Sequence, residues 1–133
     1  MTVTMLNEAK DGFVVLHIVG QVAATAGGQG AVINNSGQDL MIQKALINIT
    51  TIATGVGTLS IVSGAATPTT GGTDVLNTQD VHGVSGWVNC FVVNNTGKST
   101  PVPAVWAQGT YLNFTGSADL TGLVADLFLD ILR

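Results

Sequence analysis

The chain has 133 residues, which is enough for one domain with its own core and too few for two domains of ordinary size. Only 9% of the residues are charged while 46% are hydrophobic, which indicates that part of the surface is apolar and faces another protein. A net charge of −4 with only four lysine and arginine residues argues against a basic surface for nucleic acid.

The first predicted elements are two strands. The run TVTML (2–6) alternates with a period of two, and FVVLHIV (13–19) is rich in β-branched residues. No Asp, Glu, Lys or Arg occurs between positions 12 and 38, but the residues before this stretch are Glu8, Lys10 and Asp11 rather than a basic segment. Because its apolar part is also short, we interpret it as a buried strand and not as a signal peptide or a membrane span.

The next elements are a turn and two strands. NNSG (34–37) predicts a reversal of the chain, since Asn and Gly tolerate positive φ and an Asn side chain can cap its own turn. The strands predicted after it are LMIQKALINITTI (40–52) and TLSIVS (58–63). A second turn of the same kind, NNTG (94–97), leads to Lys98 and two prolines, which mark an edge or an exposed loop.

The middle of the chain is less regular. SGAATPTTGGTD (63–74) is typical of a surface loop, and VLNTQDVHGVSG (75–86) predicts a short turn of helix or an irregular crossover. WVNCFVV (87–93) and YLNFTGS (111–117) then predict strands. The single cysteine, Cys90, cannot form an intrachain disulfide and is best interpreted as a small buried hydrophobic residue.

The final segment, GLVADLFLDILR (122–133), fits two structures. Asp126 and Asp130 would share one face of a helix, and they would also share one face of a strand. We favour the strand, since its other face would then be continuously apolar from Leu123 to Ile131. The complete pattern predicts one all-β domain over 1–133, an antiparallel β-sandwich or barrel.

The sequence offers few groups for catalysis or metal binding. Asp74, Asp80, His82 and Ser85 lie close together in sequence, but they provide too few ligands for a zinc or calcium site and no nucleophile motif. His17 lies in an apolar run, where a hydrogen-bonded structural histidine is the simpler interpretation. We therefore predict no enzyme, no metal and no cofactor.

The aromatic residues suggest a surface for binding. Trp87, Trp106 and Tyr111 could line a sugar-binding groove beside Asp74 or Asp80, but core packing or a subunit interface is the favoured interpretation. With the second turn, they give a candidate interface, which consists of Trp87, Trp106, Tyr111, Asn94, Asn95 and Lys98.

The order of several segments resembles a known family. NNSGQDLMIQKALINITT (34–51), TGVGTLSI (54–61), WAQGTYLNFTGSA (106–118) and GLVADLFLDIL (122–132) are together similar to the capsid decoration or cement proteins of tailed bacteriophages. Residues 1–12 depart from that pattern and are either an arm that reaches a neighbouring subunit or an ordinary first strand.

The resemblance implies a jelly-roll β-sandwich that forms homotrimers. It implies a virion protein, assembled in the host cytoplasm, that binds the outside of an icosahedral head and bridges neighbouring major capsid proteins. Nucleic acid and membrane are not expected partners. The alternative is a receptor- or glycan-binding jelly-roll module of a phage head fibre or tail.

Overall fold

The computed structural model describes residues 1–7, 12–20, 29–68, 73–90 and 104–132. These residues form strands and connections and contain no helix. A helix long and apolar enough to cross a membrane is therefore absent from this part of the chain. The strands are β1 (Thr2–Met5), β2 (Gly12–Val19), β3 (Gln29–Ile33), β4 (Leu40–Thr51), β5 (Thr58–Ala65), β6 (Thr73–Asp80), β7 (Gly86–Asn89), β8 (Ala104–Trp106), β9 (Tyr111–Gly116) and β10 (Val124–Leu132).

The strands form two antiparallel sheets. The larger sheet has the order β1-β2-β10-β4-β7, with β8 paired to the beginning of β4, and the smaller sheet has the order β3-β9-β5-β6. Without β1 and β8, two four-stranded sheets remain. From β2 to β7 the chain changes sheets at every step except from β5 to β6, which pair within the smaller sheet, as in a jelly roll. The predicted all-β, jelly-roll-like sandwich is confirmed.

The core lies between the two sheets and is built by strict alternation along the strands. In β10, the side chains of Ala125, Leu127, Leu129 and Ile131 are buried, and the residues between them point to the other face. The prediction of a strand with this apolar face in the final segment is therefore confirmed for Val124–Leu132. Residue 133 lies outside the described residues. β10 lies between β2 and β4, so the segment with the longest apolar face occupies the centre of the larger sheet.

The beginning of the chain is an edge strand. β1 pairs with β2 from Thr2 opposite Val19 to Met5 opposite Leu16, and Val3 and Met5 pack against the core. Of the two interpretations of residues 1–12, the ordinary first strand therefore describes 2–5. Residues 8–11 lie outside the described part.

The prediction for the middle of the chain is wrong where two strands form, although residues 66–68 and 81–85 lie outside the strands as expected. β5 extends to Ala65 and β6 covers Thr73–Asp80, where we expected a loop followed by a short helix or irregular crossover. The sequence of β6 has no period-two pattern of apolar residues because its pairing with β5 shifts in register. As a result, Val75 and Leu76 are both buried although they are consecutive. Thr78 has a φ of 53°, an uncommon value for a β-branched residue, which bends the strand at this point.

The turn at Asn34 connects the sheets. It carries the chain from β3 in the smaller sheet to β4 in the larger one, so it is a reversal between sheets and not a hairpin within one. The Asn34 side chain caps this turn as predicted: its Oδ1 accepts from the Ser36 N–H at 2.9 Å. Its Nδ2 donates to the carbonyl oxygens of Gln38 (2.9 Å) and Trp106 (2.8 Å), which ties the turn to β8. The second turn, 94–97, lies outside the described residues.

Candidate interaction surface

The outward side of the larger sheet is rich in apolar side chains. We call this surface the open face; its residues are Thr2 and Thr4 of β1, Phe13, Val15, His17 and Val19 of β2, Val124, Asp126, Phe128, Asp130 and Leu132 of β10, Met41, Lys44, Leu46 and Asn48 of β4, Trp87 and Asn89 of β7 and Val105 of β8. Phe13 is 66% exposed and Trp87 is 61% exposed. Solvated sheet faces normally carry polar residues, so this composition is typical of a face that another molecule covers.

The centre of the open face is an apolar row across three strands. The register places Val15 opposite Phe128, and Phe128 opposite Leu46. Trp87 packs beside this row, with its ring centroid 5.2 Å from that of Phe128 and the ring planes tilted by 42°. This distance lies in the range of favourable aromatic pairs, so the two rings pack against each other on the open face.

A second apolar row crosses one end of the sheet. Leu132 lies opposite Met41, and Met41 lies opposite Val105 of β8. β8 has only three residues, but it extends the open face beyond β4. The row Phe13–Asp130–Lys44, in which only Phe13 is apolar, separates the two apolar rows.

The charged groups of the open face are matched within one subunit. The Nδ1 of His17 lies 2.7 Å from the Oδ1 of Asp126, and both side chains are partly exposed. Asp130 lies opposite Lys44 in the register. Each of these two acidic side chains therefore has a basic residue beside or opposite it.

The six predicted interface residues do not form one surface. Trp87 lies on the open face, but Trp106 is 0% exposed in the core and its Nε1–H donates to the Thr110 carbonyl at 3.0 Å. Trp106 therefore packs in the core, as one of our interpretations of the aromatic residues expected. Its buried side chain cannot contact a partner. Tyr111 is half-buried on β9 in the smaller sheet. Asn94, Asn95 and Lys98 lie outside the described residues. The three aromatics thus do not line a common groove.

The acidic and histidine residues near β6 do not converge on a reactive centre. Asp74 and Asp80 lie at opposite ends of β6, about 20 Å apart for six steps of extended chain. The Oδ1 of Asp80 accepts from the backbone N–H groups of His82 and Gly83, both at 2.9 Å. His82 donates from Nδ1 to the Ala53 carbonyl oxygen at 2.8 Å. Among the residues that the structure describes, no three histidine, cysteine or acidic side chains group as metal ligands.

The Asp80 carboxylate has a structural function in its turn. Its hydrogen bonds from the Gly83 and His82 N–H groups hold the pKa of the Asp80 carboxyl below its usual value. The same arrangement recurs at Asp119, where the Thr121 hydroxyl and N–H lower the pKa of the carboxyl. Both carboxylates therefore stabilise the turns in which they lie, because each accepts hydrogen bonds from residues two or three positions later in the chain.

The sequence prediction missed Phe13, Leu46 and Phe128. A signal for them was present, since FVVLHIV (13–19) is apolar at nearly every position and not at alternate ones. A strand with that pattern is covered on both faces. The interpretation of this run as a buried strand accounts for only one of its two faces.

No protein-family model, curated protein or solved structure matches this chain.

Proposed function

We propose that this protein is a virion structural protein that decorates the outside of an icosahedral phage capsid. In this proposal it acts as a homotrimer, assembles in the host cytoplasm, and bridges neighbouring major capsid proteins. The observation that carries the proposal is the open face: a jelly-roll sandwich with an apolar, charge-matched sheet face is suited to permanent assembly with other proteins. The resemblance of segments such as 34–51 and 122–132 to decoration proteins gives independent support.

The proposed mechanism is stabilisation by linked binding. A protein that binds the closed shell across subunit joints, and not the opened shell, lowers the free energy of the closed state. At a free concentration one hundred times the dissociation constant, each site contributes about 2.7 kcal/mol. The shell must then break these contacts before it opens.

The test compares phage particles with and without the protein under heat and osmotic shock. We expect particles that lack it to lose their DNA at lower temperature, and the purified protein to restore the wild-type profile when it is added back. An unrelated acidic β-sandwich of similar size is the control. Equal survival of both particle types would contradict the proposal, as would failure of the purified protein to bind naked capsids.

A further inference from the structure

We propose that the open face binds a second copy of this chain and is the subunit interface of the assembled protein. The inference rests on the proposed oligomer and adds which surface forms it. It requires that the rows Val15–Phe128–Leu46 and Leu132–Met41–Val105 become buried between subunits.

The dimensions of the open face fit this role. β10 has nine residues, which extend over roughly 30 Å, and five strands side by side extend over roughly 20–24 Å. The face therefore has a flat area of roughly 600–700 Å² by these spacings. Stable protein interfaces bury about 800 Å² on each partner, so the open face is about large enough once side-chain relief is included.

The charges of the open face also suit contact with a copy. Two copies of a chain with net charge −4 repel each other, so an interface between them must avoid unmatched acids. Asp126 has His17 beside it and Asp130 has Lys44 opposite, so burial of the face leaves neither acid without a basic neighbour. A partner with a strongly basic or acidic surface would gain nothing from this arrangement.

The apolar composition of the open face favours a second copy of the chain, rather than the capsid shell, as the molecule that covers it. A face reserved for the shell would stay open on every free molecule, and Phe13, Trp87 and their apolar neighbours would then promote aggregation. A copy of the chain is present wherever the chain is made and can cover the face at once. Interfaces that are buried permanently are also the more apolar class.

The test measures self-association by sedimentation velocity from 1 to 100 µM. The first variant is Leu46→Lys in the central row, and the second is Met41→Lys in the end row. The matched control is Val56→Lys, since Val56 lies outside the strands in the β4–β5 connection and is 79% exposed. Circular dichroism establishes that each variant is folded.

We expect the wild-type protein and Val56→Lys to sediment as the same oligomer. Each open-face variant should weaken association at least about tenfold, the effect of losing a central interface contact. A wild-type monomer at 100 µM would overturn the inference, and so would folded Leu46→Lys and Met41→Lys proteins that associate like the wild type.

Binding to naked capsids separates the two proposals. A wild-type oligomer that dissociates in the open-face variants but never binds capsids supports this inference and contradicts the capsid function. A capsid-binding protein whose oligomer survives both substitutions overturns this inference alone.

Discussion

At the scale of single residues, Asn34 links three parts of the fold. It is completely buried, and its amide bonds to the carbonyls of Gln38 and Trp106 while its oxygen accepts from Ser36. Its own N–H donates to the Thr110 carbonyl. A buried polar side chain that satisfies this many groups is costly to remove, because those groups lose their partners away from water.

The substitution Asn34→Ala should destabilise the protein by about 2–4 kcal/mol, since it leaves buried groups such as the Trp106 carbonyl without a partner. Urea denaturation followed by tryptophan fluorescence measures this. Asn35→Ala is the control, because Asn35 is the same residue type in the same turn but is exposed. It should change stability by no more than about 0.5 kcal/mol. Equal effects of the two substitutions would contradict the conclusion that the Asn34 side chain stabilises the fold by bonding to buried groups.

Asp80 gives a prediction about pH. Its folded-state pKa is lowered, chiefly by the hydrogen bonds from the Gly83 and His82 N–H groups, so its contribution to stability is present above the unfolded pKa of about 3.9 and is lost as the pH falls through the folded value. Asp80→Asn keeps an oxygen that can accept these bonds but removes the titration. The wild type should therefore lose more stability than Asp80→Asn between pH 5 and pH 2, by under about 1 kcal/mol because the group is exposed.

The measurement is a series of urea denaturation curves at fixed protein concentration across that pH range. Parallel pH profiles for the two proteins would show that Asp80 titrates alike in the folded and unfolded states. The role of Asp80 was not predicted from sequence, where Asp80 and His82 were considered as metal ligands and judged too few. An Asp that closes a turn and an Asp that binds a metal have the same local pattern.

At the scale of elements, a strand could be predicted where its residues alternate or where β-branched residues are frequent. β2, β4, β5, β9 and β10 were found in this way, with ends within about two residues. β6 was missed because register shifts and Thr78 break its period. β3 was missed because its side chains are exposed or only partly buried, and β8 because three residues are too few to show a period, although Ala104 and Trp106 are buried.

The position of β10 gives a prediction about packing. Leu127→Ala should destabilise the protein by about 2–5 kcal/mol, since it leaves a cavity between the sheets beneath the central strand. Leu6→Ala changes the same residue type where it is 60% exposed and lies outside the open face, and it should cost under about 1 kcal/mol. Thermal and urea denaturation at one protein concentration compares them. A Leu6→Ala effect as large as that of Leu127→Ala would contradict the placement of Leu127 in the core.

At the scale of the whole molecule, the sequence predicted the sandwich but not the apolar open face. The sandwich follows from local patterns, whereas the open face needs the register that places Val15, Phe128 and Leu46 in one row. That row combines three segments far apart in the chain, and no local pattern contains their relative alignment. Trp87 alone was recognised, since an aromatic residue at the start of a strand is visible in sequence.

The same long-range pairing predicts slow folding. His17 and Asp126 are neighbours in the larger sheet although 109 positions separate them in sequence. Because such contacts close long loops before they are stabilised, refolding should take milliseconds to seconds, as in other all-β domains. Stopped-flow fluorescence after dilution from urea, at concentrations below self-association, measures the rate. Complete refolding within microseconds would contradict this expectation.

The central place of β10 also has a consequence during synthesis. β2 and β4 have no direct pairing in the sheet, because Val124–Leu132 lies between them and bonds to both. In a nascent chain whose last segment is still inside the ribosome, β2 and β4 therefore lack the strand that joins them in the larger sheet, and their edges are unpaired. We infer that the sandwich closes only after translation has passed residue 132, and that a ribosome stalled earlier carries a chain with exposed strand edges, which is a substrate for chaperones and proteases.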